Sequence, residues 1–184
     1  RNKHYIGTRN MTSILKVDEI QSKNGTSALT IDSSGRILQP AKPAFKMELV
    51  VEGAAANYSS ATVFLPDTIR INVGGGAAIT GSQGQYTVPI TGIYMLMYQI
   101  NLVGVTGASY VDAHLLINGS VINGHEDTSA RYLEDPQGGN YIQAQNSALF
   151  PLTANDVVTV RFQVVGDTSS TLRDGSVFSG FLVS

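Results

Sequence analysis

Apolar and polar positions alternate along most of this chain, and no stretch carries the 3.6-residue stripe of a helix. The alternation is plainest in Val157–Val165. Val158, Val160, Phe162 and Val164 fall on one side, and Val157, Thr159, Arg161, Gln163 and Val165 on the other. Further strand signals run over Ala44–Val51, Thr68–Val73, Gly84–Pro89, Gly92–Val103, Tyr110–Ile117, Ser120–Asn123, Gly139–Leu152 and Val177–Val183. Short strands at regular spacing, punctuated by Gly, Asn and Asp, predict an all-β sandwich or barrel. Asn118-Gly119 suits a two-residue hairpin loop, because both central residues of a type I′ turn take positive φ. Asn123-Gly124 offers a second such turn, so the register after Ile117 stays open between them.

Upstream of Ala44 the pattern is fragmentary. Residues 1–10 have no periodicity and read as an arm. Ile14–Ile20, Ala28–Ile31 and Arg36–Leu38 alternate, but Asn24-Gly25 and Asp32-Ser33-Ser34-Gly35 cut them apart. Strands this short bury too few side chains to make a core alone, so they need partners. Pro40 and Pro43 then fix φ and interrupt any ladder. The chain therefore divides into an N-terminal docking or intertwining segment, residues 1–39, and a head, residues 40–184.

Gly92–Val103 has two apolar faces where a half-buried strand should have one. Tyr94, Leu96, Tyr98, Ile100 and Leu102 share one face. Ile93, Met95, Met97, Gln99, Asn101 and Val103 share the other, which turns polar only at Gln99. The closing strand is similar, with Phe178, Gly180 and Leu182 against Ser179, Phe181 and Val183. A second apolar face lies under a loop or against another copy of the chain; a bare Tyr/Met patch is the feature that favours the copy. Tyr94, Met95, Met97, Tyr98 and Phe181 are the expected contact residues, and Gly180 leaves room for one of the tyrosines to cross it.

Composition sharpens that expectation. Only 14% of the 184 residues are charged while 42% are hydrophobic, roughly half the usual charged share, and charged groups are what buried interfaces lack. A net charge of −2 gives no basic footprint for nucleic acid. No apolar run approaches the ~20 residues that span a bilayer, and the first residues show no apolar signal-peptide segment. With no cysteine, neither disulfides nor thiolate metal sites contribute.

Catalytic signatures are not found. Gly74-Gly75-Gly76 has no following Lys and reads as a flexible connection rather than a phosphate loop. Asp112 and His114 share a strand face, where a polar surface pair is the expectation over acid–base or metal chemistry. Glu134-Asp135 supply too few oxygen ligands for a calcium site. No enzyme, cofactor or metal is expected. Recognition is expected at loops: Arg131, Tyr132, Glu134 and Asp135 in the segment 131–140, and Arg173 and Asp174 in the segment 168–175.

From Gly84 onward the chain resembles the globular head of the complement q-subcomponent, whose jelly roll is shared with tumour-necrosis-factor cytokines. Gln85-Tyr86-Thr87-Val88-Pro89, Thr91-Gly92-Ile93-Tyr94 with Tyr98, Leu116-Ile117-Asn118-Gly119, and Ala148-Leu149-Phe150-Pro151-Leu152 with Asn155-Asp156-Val157-Val158 occur in that family's order. Phe178-Ser179-Gly180-Phe181-Leu182 is closely similar to its terminal strand. Asn155 replaces the usual Gly, a mild departure because Asn tolerates left-handed φ.

Leu15–Gln21, Ala28–Ile37 and Pro40–Phe45 are similar to the leaders of phage fibre and appendage proteins. Together the resemblances imply a trimeric jelly roll on a short β-rich stalk, located in a virion. Residues 1–39 would meet other virion proteins, and the head would meet a host-surface glycan or protein. A capsid-decorating trimer and a secreted cytokine- or lectin-like ligand are the alternatives. No collagen-like Gly-X-Y run is present.

Overall fold

The computed structural model describes residues 15–25, 27–105, 110–121, 129–133 as backbone, 141–166 and 169–184. Every regular element among them is a strand, and every pairing is antiparallel. The all-β expectation holds. Contacts divide the chain into two units, Arg1–Ala41 and Lys42–Ser184.

In the first unit, β1 (Glu19–Gln21), β2 (Ser27–Ile31) and β3 (Ile37–Leu38) form a three-stranded sheet in sequence order. The first strand starts at Glu19 and not at the expected Ile14; residues 15–17 are described and are not strand. The turn between β2 and β3 is built by Asp32, whose Oδ1 accepts from the Ser34 and Arg36 amides at 2.9 Å each. Gly35 there has φ 76°, which a β-carbon would resist.

The second unit is a jelly-roll sandwich. One sheet runs β14 (Tyr141–Leu152), β10 (Gly92–Val103), β17 (Val177–Leu182), β4 (Ala44–Glu48), β7 (Thr68–Val73). Short β16 (Ser170–Leu172) continues beside the end of β10, and β5 (Ala55–Ala56) pairs with it. The facing sheet runs β12 (Ser120–Val121), β11 (Tyr110–Ile117), β15 (Val157–Val165), β9 (Gly84–Thr87), β8 (Ala77–Ile79). In addition β13 (Ser129–Leu133) pairs with β11, and β6 (Thr62–Val63) with β15.

Alternating residues of both sheets meet in one core, and the sequence pattern identified them correctly on β15: Val158, Val160, Phe162 and Val164 are buried. Phe45 lies at its centre. Its ring stacks on Tyr86 at 3.9 Å and meets Phe178 edge-on at 4.8 Å, an arrangement that adds to simple area burial. Gly180 faces this cluster. A β-carbon there would sit 2.8 Å from Leu96 Cδ2, Met95 O and Phe45 Cε1. The side chains crossing Gly180 are thus Leu96 and Phe45, not the tyrosine expected from sequence.

The Asn118-Gly119 loop is the hairpin the sequence called for, with Ile117 opposite Ser120 and φ of 52° and 77°. Asn118 also bridges two turns: its Nδ2 donates to Asp156 Oδ1 at 2.8 Å, and its Oδ1 accepts from the Val157 amide at 2.9 Å. Asn155, where the family pattern has Gly, takes φ 75°. Replacing Asn118 by Ala removes both hydrogen bonds and places a residue averse to left-handed φ in the turn. The expected result is a loss of about 1–3 kcal/mol of stability, read as a lower urea midpoint with an unchanged m-value.

Gly74-Gly75-Gly76 is a tight turn between β7 and β8 rather than a flexible connection. A β-carbon on Gly76 would come within 2.2 Å of Thr87 O, and the Thr87 amide donates to Gly76 O at 2.8 Å.

Candidate interaction surface

The outward face of the β14-β10-β17-β4-β7 sheet exposes several large apolar side chains. Cross-strand register assembles it in rows. Leu149, Met95, Phe181, Ala44 and Val73 stand side by side across five strands. Beside that row, Ile93 stands opposite Pro151. On the other side come Ser147, Met97, Ser179, Lys46 and Ile71. Leu149 is 55% exposed, Phe181 43%, Ile71 45% and Ile93 42%. A contiguous apolar patch spread over neighbouring strands is uncommon on a monomer and marks a contact surface.

Farther along the strands the same face turns polar. Gln99 stands between Gln145 and Val177, and Asn101 faces Gln143. Two open depressions lie here. One, of about 540 Å³, is lined by Met97, Gln99, Gln145, Ser147, Val177 and Ser179, among others. The other, of about 480 Å³, includes Gln99, Asn101, Tyr141, Gln143, Arg173 and Asp174. Arg173 lies over the Tyr141 ring at 4.9 Å and is near the carboxylates of Asp174 at 3.5 Å and Glu52 at 3.7 Å.

The turn that bears Arg173 and Asp174 is fixed to β10. The Arg173 amide donates to Asn101 O at 2.9 Å, and buried Ser176 accepts from the Asn101 amide at 2.9 Å while donating to Arg173 O at 2.8 Å. At the β4 edge Glu48 pairs with Lys46 and Arg70. Hydrogen bonds from Lys46 and then Arg70 hold its carboxyl below the ordinary value.

The expected contact residues divide. Met95, Met97 and Phe181 are on the outward face. Tyr94 and Tyr98 are not: they are 0% and 2% exposed, inside the chain's own core. They can lie there because each hydroxyl has a backbone acceptor, Ile90 O for Tyr94 and Ala113 O for Tyr98, both at 2.8 Å. These two tyrosines are therefore not on the outward face. Leu149, Ile93, Ile71 and Val73 share the outward face with Met95, Met97 and Phe181. Alternation along Thr68–Val73, Gly92–Val103 and Tyr141–Leu152 was the available signal, since it puts each on one face with its neighbours.

Arg131 and Tyr132 are strand residues of β13, opposite Asp112 and Val111, and not loop residues. Glu134 and Asp135 fall outside the described residues. Arg173 and Asp174 occupy the expected turn and line the larger polar depression's neighbour on the outward face. Asp112 and His114 meet at 2.9 Å on the opposite sheet, away from any depression described above.

The comparisons agree with this architecture. A family model described as the C1q domain matches residues 44–183. Among solved structures, the globular domain of zebrafish complement 1qA aligns with TM-score 0.53 at 15% identity, covering 78% of this chain and 98% of that one. The Eiger TNF of S. frugiperda aligns with TM-score 0.57 at 16% identity, covering 78% and 94%. Murine APRIL aligns with TM-score 0.52 at 19% identity, covering 77% and 98%. At these identities the likeness is one of fold. No curated protein matches the chain in sequence.

Proposed function

The chain belongs to the C1q-domain family through residues 44–183, and from that premise we propose that it is a homotrimeric structural appendage, a fibre, of a tailed-phage virion. C1q- and TNF-like domains typically form homotrimers and are generally binding or structural modules. The observation that carries the trimer reading is the row Leu149–Met95–Phe181–Ala44–Val73 on the outward sheet face. Packing that row against neighbouring copies removes apolar surface from water at roughly 25 cal/mol per Å². The mechanism is geometric. Three heads present three copies of each surface residue, so weak contacts to a host-surface glycan or protein gain avidity.

The virion assignment rests on the N-terminal leader. Leu15–Gln21 and Ala28–Ile37 are similar to phage appendage leaders, and residues 1–39 are the segment that meets other virion proteins. A chain beginning at Lys42 is expected to fold and to trimerise, because contacts cluster separately on the two sides of Ala41. It is also expected to be missing from assembled particles. Circular dichroism and particle proteomics read the two outcomes. An unfolded 42–184 chain means that the first strands belong to the core of the head.

Immuno-electron microscopy of purified particles tests the virion reading itself. A few labels per particle support a fibre. Dense labelling of the shell moves the assignment to a capsid-decorating trimer. Recovery of the protein only as a free secreted trimer overturns the virion reading in favour of a cytokine-like ligand.

A further inference from the structure

The N-terminal sheet gathers most of its aliphatic side chains on one side. Register places Ile20 opposite Leu29 and Ile31 opposite Ile37, and the two-residue period puts Leu29 and Ile31 on the same face. Val17 and Glu19 join them around a largely apolar groove of about 90 Å³. The alternate cross-strand row is Glu19, Thr30 and Leu38. Ile20 is 46% exposed, Ile31 40% and Ile37 67%. The backbone is nevertheless well tied, since the Ile31 amide donates to Asp18 O at 2.8 Å and Asp32 organises the following turn.

Strands of three, five and two residues do not hold a single-layer sheet in water without a cover for their apolar side. We propose that the cover is the same face of two other copies, so that three N-terminal sheets close on one another into a three-sided stem. Two features favour this occupant. Between residues 15 and 38, Lys16, Lys23 and Arg36 balance Asp18, Glu19 and Asp32, so no net charge selects an acidic or basic partner. The segment also runs directly into the head through Pro40–Pro43. The inference rests on the trimeric reading of the head, which keeps the other two copies at high effective concentration.

The chain has no cysteine, so single-cysteine crosslinking reports one position at a time. Full-length Leu29→Cys, shown to be trimeric by mass before oxidation, is expected to form a disulfide-linked pair about tenfold faster than Thr30→Cys. A trimer in which Leu29→Cys does not crosslink, or crosslinks no faster than Thr30→Cys, overturns the stem and leaves the head reading intact. A monomeric full chain overturns both.

The unmutated protein supplies a second measurement, independent of whether the cysteine variants fold. Amide exchange over residues 27–31 is expected to be about a hundredfold slower in the trimer than in monomeric Phe181→Asp protein. Equal exchange rates in the two overturn the stem.

Discussion

Phe181→Asp is expected to convert the trimer into folded monomers. Phe181 stands at the centre of the five-strand apolar row, with Met95 on one side and Ala44 on the other. It is 43% exposed in the single chain, so replacing it leaves the chain's own packing nearly intact. A carboxylate there would be buried against apolar side chains of a neighbouring copy with no partner, which such contacts do not tolerate. Central aromatic anchors of this kind contribute about 2–4 kcal/mol to association, and a threefold assembly repeats the loss in each copy. Sedimentation velocity at micromolar concentration should therefore show a single-chain mass, with a far-ultraviolet spectrum unchanged from the parent. A variant that remains fully trimeric would show that this row is not the contact surface.

Tyr94→Ala is expected to act on folding instead. The Tyr94 ring is 0% exposed and packs edge-on to Tyr86 at 6.1 Å. Its hydroxyl donates to Ile90 O at 2.8 Å. Truncation opens a cavity and leaves that carbonyl without its donor, a loss of about 3–5 kcal/mol. Tyr94→Phe removes only the hydrogen bond and should lose about 1 kcal/mol. Both variants are best measured in the Phe181→Asp background, where urea unfolding is not linked to dissociation. If Tyr94→Ala changed oligomer mass without shifting the urea midpoint of the monomer, the tyrosine would belong to the contact surface after all.

The contrast between these two residues shows where sequence reading reached and where it stopped. Alternation placed Gly92–Val103, Tyr110–Ile117 and Val157–Val165 with the bounds the structure has. On β15 it also told which side meets the opposite sheet, because Arg161 and Gln163 are polar and only partly buried, although Thr159 on their side is itself buried. On β10 it could not. Tyr94/Leu96/Tyr98 and Ile93/Met95/Met97 are both apolar, and period alone does not say which set meets the opposite sheet. Backbone acceptors at Ile90 and Ala113 decide it, and those acceptors come from turns and from the opposite sheet.

Other elements left a weak local signal. Ser129–Leu133 reads Ser-Ala-Arg-Tyr-Leu, with no clean alternation, and becomes a strand by pairing with β11. Strands β5, β6 and β16 have two or three residues each and exist through their tertiary partners. Gly180 was legible as a close approach. Its neighbours Leu96 and Phe45 come from β10 and β4, and only the sheet order brings both against it. The outward apolar row was half visible through Met95 and Phe181. The rest, Leu149, Ala44 and Val73, needed the registers that align five strands.

Self-association through that row is the claim on which the others depend. Sedimentation equilibrium of the unmodified full-length protein at micromolar concentration measures it directly. The expected mass is three times the 19.5 kDa of the chain, stable on dilution through the micromolar range. A single-chain mass under the same conditions would mean that the apolar face stays open to solvent, and the trimeric reading would be wrong.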